Sequence, residues 1–347
     1  MEEQHMLKGP AKLLDSEGNL TQAGWAPFPV LDCNLEDCHF YALKAFQKMR
    51  IKIWDYYAIT TPTHFFSFTI SNVGYLGMVF AYVIDFKTGK YQEQTISTPL
   101  GSGVRLPRSS TAGKTTYEKG EFRMVFEALP GKRTVSVRWP GFAGSATPLN
   151  AEFSLAQPKE HESMTIVIPI RGKRFYYNHK LNCLPATGWV DYAEEHFELT
   201  PTTALGNLDW GRGVWEYASH WVWASASGFL ADRRRFGLNL GYGFGDTSAA
   251  SENCFILDGK IHKLGKMDFT FDPHDYKKPW KMVSPDGRLE LVFTPFFERV
   301  AKTDAVVLKS EVHQMFGHYN GWAISDSGEK LEIKELIGWA EEHYAKW

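Results

Sequence analysis

The segment from Asn207 to Ser227 concentrates the side chains best suited to chemistry. Four of the chain's 12 tryptophans lie within its residues 210–223, about eight times the number that random placement would give. Charged side chains lie among these indoles. A carboxyl between aromatic walls tends to have a raised pKa, as a general acid at neutral pH requires. We therefore predict catalytic roles for Asp209 and Glu216, and ligand contacts from Trp210, Arg212, Trp215, His220, Trp221 and Trp223.

Alternation within this segment separates two faces. If residues 219–227 form a strand, Trp221 and Trp223 share one face with two serines, and the intervening residues share the other. The first face suits a ligand cavity and the second suits a packed core. The alternative is structural, because tryptophan also fills β-barrel cores and Asp209 and Arg212 would pair in a tight corner. Both interpretations remain open from the residues alone.

A second polar group follows a glycine-rich strand. Asp246 and Glu252 fall in the segment after it, at a strand end, where loops often carry function. We predict that they are further catalytic carboxyls, paired with Asp209 or Glu216. A hydrogen-bonded turn is the alternative interpretation of this segment.

A third group lies near the C-terminus. Glu311 and His313 share a face of a predicted strand, and we predict His313 to be a base or an orienting group. His318 falls on the opposite face unless a bulge at Gly317 intervenes, and we include it as a ligand contact. Since this spacing matches no zinc motif, we predict no metal ligand.

Several motif classes are incomplete or absent. Residues 108–115 are one residue from a phosphate-binding loop, but Arg108 replaces the first glycine and a strand-like run follows instead of a helix. Gly241, Gly243 and Gly245 do not match a dinucleotide fingerprint. We therefore predict no cofactor. The net charge of −2 argues against a general nucleic-acid binder, which leaves a small molecule or a saccharide as the expected ligand.

The elements that would position these groups are mostly strands. The chain has 347 residues, of which 15% are aromatic, and short runs alternate between apolar and polar residues. Asp258-Gly259 and Asp286-Gly287 are pairs that tight hairpins favour. This pattern predicts an all-β, antiparallel chain of two barrel or sandwich units, residues 1–185 and 186–347. We leave the oligomeric state open.

Two segments have helical character. Leu336, Ile337, Ala340 and Tyr344 fall on one stripe, which predicts an amphipathic C-terminal helix over residues 334–347. Residues 35–49 could hold a short helix.

The N-terminus and the cysteines indicate the compartment. The first residues are polar and acidic, unlike a signal peptide, and no apolar run is long enough to cross a membrane. Four cysteines are too few for a disulfide scaffold in a chain of this length. We expect a cytoplasmic protein with reduced thiols and no membrane insertion.

Several motifs together resemble a known family. They are the Asp209-Trp-Gly-Arg-Gly element, the Trp221-Val-Trp223 pair, Gly243-Phe-Gly-Asp246 and the closing residues 338–347. They resemble the bacterial family catalogued as domain of unknown function 2804 over nearly the whole chain, and this resemblance implies no activity. More distantly, the architecture is similar to tandem lipocalin-like proteins that include carotenoid hydratase. That similarity implies two packed β barrels and an acidic, aromatic-lined cavity that hydrates or rearranges a hydrophobic ligand. It transfers no catalytic residue.

Three hypotheses follow. The first is a cofactor-free acid–base enzyme of hydratase or isomerase type, acting on an apolar small molecule, with Asp209 or Glu216 as proton donor. The second is a carbohydrate-active enzyme with paired carboxylates and tryptophan stacking. The third is a binding protein without turnover, in which Asp209 and Glu216 form structural pairs.

Overall fold

A computed structural model describes residues 4–39, 43–144, 147–305 and 308–346. The described chain is built almost entirely of strands. These are β1 Ala11–Lys12, β2 Gly24–Ala26, β3 Leu31–Asp32, β4 Ile51–Thr60, β5 His64–Asn72, β6 Leu76–Asp85, β7 Tyr91–Pro99, β8 Gly113–Lys119, β9 Phe122–Leu129, β10 Lys132–Trp139, β11 Leu149–Ala156, β12 Met164–Ile170, β13 Arg174–Tyr192, β14 Glu195–Leu199, β15 Leu205–Val214, β16 Ala218–Phe229, β17 Arg235–Tyr242, β18 Cys254–Leu257, β19 Lys260–Lys263, β20 Asp268–Thr270, β21 Trp280–Val283, β22 Leu289–Ala305, β23 Leu308–Ile324 and β24 Lys330–Lys346.

Most of these strands form two large sheets, in which neighbouring strands run antiparallel. The first sheet has 13 strands, and its main path runs β7-β6-β5-β4-β15-β13-β11-β10-β9-β8. The second sheet has nine strands in the order β19-β18-β17-β16-β24-β23-β22-β21-β20. The prediction of an all-β, antiparallel chain is confirmed.

Period-two alternation gives each sheet its own core. In β10, for example, Val135, Val137 and Trp139 are buried inside the first sheet. In β16, Val222 and Ala224 are buried inside the second. Each sheet therefore buries an apolar inner face, and the outer faces remain to make other contacts.

A further apolar cluster joins the two sheets. Phe65 and Tyr82 of the first sheet lie in one buried cluster with Trp223, Phe316 and Trp339 of the second. The rings of Phe65 and Trp339 meet edge to face, 5.3 Å between centroids. Because this interface is buried, the sheets present side chains to each other across it rather than to water.

The predicted C-terminal helix is wrong. Residues 330–346 form β24, which pairs with β16 on one side and β23 on the other and is the central strand of the second sheet. Both of its faces are largely buried from Ile337 to His343, so its pattern lacks strict alternation and imitates a helical stripe.

The described helical structure is short. One α-helix, α1 Lys44–Gln47, and a 3-10 turn at Leu35–Asp37 fall within the segment predicted to hold a helix. A second 3-10 turn covers Phe142–Gly144.

The chain passes from the first sheet to the second between Val214, the last residue of β15, and Ala218, the first residue of β16. The boundary expected after residue 185 falls within β13.

All four cysteines are buried free thiols. In the described part of the chain, no helix has the length and apolar character needed to cross a membrane.

Candidate active site between the two sheets

A buried lysine lies between two carboxylates at the sheet interface. Lys180 of β13 is the direct cross-strand neighbour of Asp209 of β15, so both side chains leave the same face of the first sheet. The Lys180 Nζ lies 3.1 Å from Glu252 Oε2 and 3.9 Å from Asp209 Oδ2. The three side chains are 5%, 11% and 14% exposed, and water therefore screens this group weakly.

Amide side chains hold both carboxylates in place. Asn178 Nδ2 donates to Asp209 Oδ1 at 2.6 Å, and Asn239 Nδ2 donates to Glu252 Oε2 at 3.0 Å. Trp223 Nε1 donates to Asn239 Oδ1 at 2.7 Å, which fixes the orientation of that amide. The group is thus a connected network rather than a set of isolated charges.

Burial and charge act against each other on the lysine. Burial lowers the pKa of Lys180, but the carboxylates of Asp209 and Glu252 outweigh it and hold that pKa above its ordinary value. Burial raises the pKa of Asp209, although Lys180 and Asn178 oppose this effect. The Lys180 ammonium therefore stays protonated at neutral pH.

Glycines make room for two side chains of this network. Gly211 is the register partner of Trp54, and a Cβ at Gly211 would overlap the Trp54 indole, whose interaction with Asp209 opposes the rise in the pKa of that carboxyl. A Cβ at Gly241 would lie 2.6 Å from Glu252 Oε1. Gly211, the first glycine of the Asp-Trp-Gly-Arg-Gly element, is therefore required because the Trp54 ring lies against its backbone.

Glu341 is a fourth ionisable group at the interface. It lies on β24 opposite both Trp223 of β16 and Gln314 of β23. Trp221 Nε1 donates to Glu341 Oε1 at 3.3 Å, and Gln314 Nε2 donates to Glu341 Oε2 at 3.0 Å. Burial raises the pKa of Glu341 to about 7, although the indole of Trp221 opposes this effect. Near neutral pH this carboxyl can both donate and accept a proton.

A hydrogen-bonded chain fixes the orientation of Gln314. Tyr82 donates its hydroxyl proton to Gln314 Oε1 at 3.0 Å, so the amide nitrogen must face Glu341. The hydroxyls of Tyr56 and Tyr82 are 3.0 Å apart. Arg299 lies beside this chain and forms a two-point ion pair with Glu93, at 2.9 and 3.0 Å. The residues behind Glu341 are thus fully engaged in polar contacts.

Aromatic rings cover the cluster on the side of β16. The rings of Trp215 and Phe244 are 4.6 Å apart, and those of Trp221 and Phe244 are 5.6 Å apart. Trp54 meets Trp215 at 5.1 Å. Trp54, Trp221 and Phe244 are half-buried, whereas the carboxyl of Glu341 is buried. We call these rings, with Tyr176, the aromatic wall.

The structure brings part of the predicted site together. Asp209, Glu252, Trp221 and Trp223 meet at the interface, and Trp215 lies in the aromatic wall. The predicted separation of faces on β16 is confirmed, since Trp223 faces the interface while the alternate residues enter the second core.

Trp210 and Arg212 lie on the other face of β15, within the first sheet. Arg212 Nη2 pairs with Asp55 Oδ1 at 3.0 Å, and its guanidinium lies 4.1 Å from the centre of the Trp210 ring. The arginine of the motif therefore has a structural pair, and its partner is Asp55 rather than Asp209.

Two predicted carboxyls lie outside the cluster. Glu216 is exposed in the connection between β15 and β16, where its backbone carbonyl accepts a hydrogen bond from Ser219. Asp246 is exposed, and its Oδ1 accepts from the Ser248 backbone N–H at 2.9 Å, as in the alternative turn interpretation.

The predicted histidines also lie apart from the cluster. His220 Nε2 is 2.9 Å from Glu342 Oε1, on the face of β16 opposite Trp221. His313 Nδ1 is 2.9 Å from Glu298 Oε1, and His318 Nδ1 is 3.8 Å from Glu335 Oε2. Two cavities of about 670 and 560 Å³ lie elsewhere in the described chain, and neither is lined by the predicted tryptophans.

Sequence reasoning missed several members of the cluster, above all Lys180, Glu341 and Gln314. One signal was present for the lysine, because Asn178, Lys180 and Asn182 alternate within an otherwise apolar run and define one polar face of a buried strand. No comparable signal marks Glu341, whose neighbour Glu342 is equally acidic and faces the opposite side of the sheet.

Two antiparallel β units that enclose a buried polar centre define an all-β protein with a two-unit lipocalin-like fold. The comparisons with known proteins agree. The chain belongs to the family described as domain of unknown function (DUF2804), whose model matches residues 4–347. No curated protein matches the sequence.

Solved structures share the fold at low sequence identity. An AttH-type protein of Nitrosomonas europaea is 14% identical, with 91% of this chain and 98% of that chain covered and a TM-score of 0.53. CghA in complex with Sch210972 is 10% identical, with 85% and 88% covered and a TM-score of 0.54. Kievitone hydratase from Nectria haematococca is 11% identical, with 98% of both chains covered and a TM-score of 0.46. The first two show the fold of this chain.

Proposed function

We propose that this protein is an acid–base enzyme of hydratase or isomerase type that acts on an apolar small molecule and needs no cofactor. The observation that carries the proposal is the position of Glu341. Its carboxyl is buried at the sheet interface, with hydrogen bonds from Trp221 and Gln314 and with the Lys180 group as a charged neighbour. General acid–base catalysis uses a buried carboxyl of this kind, whose pKa is shifted towards neutral pH and which lies beside fixed charges.

Glu341 would act as the proton donor. In a hydration, its carboxyl gives a proton to one carbon of a C=C bond, and water adds to the other carbon. The proton lost by that water returns to the carboxylate, so the enzyme ends in its starting state. In an isomerisation, the carboxylate removes a proton from another carbon instead. Neither route needs an oxidant or a reductant.

The surroundings favour a positive transition state. The aromatic wall lies beside Glu341, whose carboxyl accepts a hydrogen bond from Trp221, and the faces of such rings attract a cation. An apolar substrate would enter by displacing the half-buried rings of Trp221 and Phe244. The same rings would then exclude bulk water from the reacting carbons.

The carbohydrate alternative has weaker support in the geometry. Asp209 and Glu252 would be the paired carboxyls, but the Lys180 ammonium lies between them, 3.9 Å from Asp209 and 3.1 Å from Glu252, where the scissile bond of a glycoside would have to lie. A glycoside hydrolase needs one of its two carboxyls protonated at the working pH. Glu341 fits the donor role better, because burial raises its pKa to about 7.

A ligand screen tests the proposal. The purified protein is melted with a panel of isoprenoid and fatty-acid compounds and with a panel of oligosaccharides, and hits are repeated with Trp221→Ala. A ligand at 100 times its Kd adds about 2.7 kcal/mol of apparent stability. We expect stabilisation by members of the apolar panel and its loss in the variant. Stabilisation by saccharides alone, or an unchanged response in Trp221→Ala, would contradict the proposal.

A further inference from the structure

An open cavity lies on the second sheet, on the side of β24 away from Glu341. Its volume is about 670 Å³, within the size range of roughly 300–1,000 Å³ that is usual for small-molecule sites. Aromatic rings and carboxylates dominate its lining, which is formed by Pro273, His274, Asp275, Tyr276, Lys277, Glu298, Glu311, His313 and Tyr344. None of these residues belongs to the candidate active site.

The aromatic side of this cavity is held rigid from behind. Glu342 is 4% exposed, and its carboxylate accepts hydrogen bonds from the hydroxyls of Tyr276 and Tyr344. His220 contacts the same carboxylate at 2.9 Å and packs on the Tyr344 ring, 4.5 Å between centroids. Because both hydroxyls are engaged with Glu342, the rings are fixed before any ligand binds, which reduces the entropy cost of binding.

His313 completes the aromatic side. Its ring stacks on Tyr276 with centroids 4.5 Å apart and planes at 22°. Its two ring nitrogens contact Glu298 at 2.9 Å and Glu311 at 3.4 Å. Three rings and two carboxylates are thus locked together along one wall.

The charge of the lining selects the kind of ligand. Three carboxylates, those of Asp275, Glu298 and Glu311, face the cavity, against the single ammonium of Lys277. That ammonium is 72% exposed and lies 3.9 Å from Glu298, so it neutralises the wall only weakly. Lys302 contacts Glu311 at 3.1 Å and is itself 58% exposed. Carboxylates therefore outnumber ammonium groups in the lining, and the ammonium groups near them are the more exposed partners.

We propose that this cavity is a second ligand site, which binds an organic ammonium ion attached to a flat apolar body. The rings of Tyr276 and Tyr344 would contact the apolar body and attract the cation, and Glu298 and Glu311 would pair with the ammonium group. The site is independent of the proposed enzyme function, since it lies on the opposite face of β24 and uses none of the same side chains.

Three probes that share a phenethyl body and differ in the charge of the head group test this site. Phenethylammonium, 2-phenylethanol and 3-phenylpropanoate are titrated into the full-length protein, and binding is followed by ligand-observed NMR. We expect the ammonium compound to bind about fivefold tighter than the alcohol or better, from its ring and carboxylate contacts, and the carboxylate compound to bind most weakly. Equal or tighter binding of the alcohol or the carboxylate compound would overturn the proposal.

Variants separate this site from weak surface binding. The double variant Glu298→Gln and Glu311→Gln should lose about fivefold or more of the affinity for the ammonium compound and keep that for the alcohol. Glu332→Gln, at an exposed glutamate elsewhere on β24, is the matched control and should change neither. If the double variant does not fold, Tyr344→Leu replaces it and should weaken the ammonium compound more than the alcohol. Unchanged ammonium binding in the variant that folds would contradict the site.

Discussion

The pH dependence of stability gives a direct test of the environment of Glu341. Burial raises its pKa from 4.5 to about 7. In the unfolded chain this carboxyl loses its proton near pH 4.5, whereas in the folded chain it keeps the proton until about pH 7. Between these values the folded chain binds more protons, so stability falls as the pH rises. At about 1.36 kcal/mol for each pH unit, the loss is about 3 kcal/mol, and it is complete above pH 7.

The substitution Glu341→Gln isolates this contribution. The glutamine side chain imitates the protonated carboxyl and cannot titrate. The free energy of unfolding of the variant minus that of the wild type should therefore rise by about 3 kcal/mol between pH 4.5 and pH 8. The assay is urea denaturation of both proteins across this range, with Glu216→Gln as the control at an exposed glutamate. A difference that stays constant with pH would refute the reasoning, because Glu341 would then titrate alike in both states.

Three further predictions concern the network and the fold. Lys180→Met leaves Asp209 and Glu252 buried without their cation, and it should lower the free energy of unfolding in urea by about 3–5 kcal/mol. Adding Asp209→Asn and Glu252→Gln should restore most of this loss, and a single variant as stable as the wild type would contradict the network. Trp221→Phe removes a donor to Glu341 and should move the pH midpoint of the stability difference upward, while a downward move would show that the indole does not favour the carboxylate. Ala340→Pro, in the central strand, should unfold the second sheet as seen by circular dichroism, whereas Lys330→Pro at the first residue of β24 should be tolerated; equal tolerance of both would contradict the strand assignment.

The all-β class was predictable because most strands bury one face. Alternation of apolar residues, as in β10 and β16, is a local property that can be recognised without knowing which strands lie beside it. Alternation does not identify the central strand β24. Trp339 faces the interface and Ala340 faces the second core, so both faces are buried and the residue pattern no longer alternates. The spacing of Leu336, Ile337, Ala340 and Tyr344 then imitates a helix.

The candidate site was only partly predictable, for a related reason. Tryptophan density marked β15 and β16, and Asp209, Glu252, Trp221 and Trp223 do meet there. Their partners come from distant strands: Lys180 is set opposite Asp209 by the register of β13 with β15, and Glu341 opposite Trp223 by the register of β16 with β24. Register depends on sheet order, which no local pattern contains. For the same reason, proximity in sequence wrongly suggested that Arg212 pairs with Asp209.

Isotope exchange into the ligand tests proton transfer by Glu341. A ligand selected from the apolar panel is incubated with the protein in D₂O, and deuterium incorporation at carbon is followed by mass spectrometry. We expect incorporation by the wild type and by Glu216→Gln, and a rate at least about 100-fold lower for Glu341→Gln, the usual cost of losing a general acid. Equal incorporation by Glu341→Gln and the wild type would contradict proton transfer by Glu341.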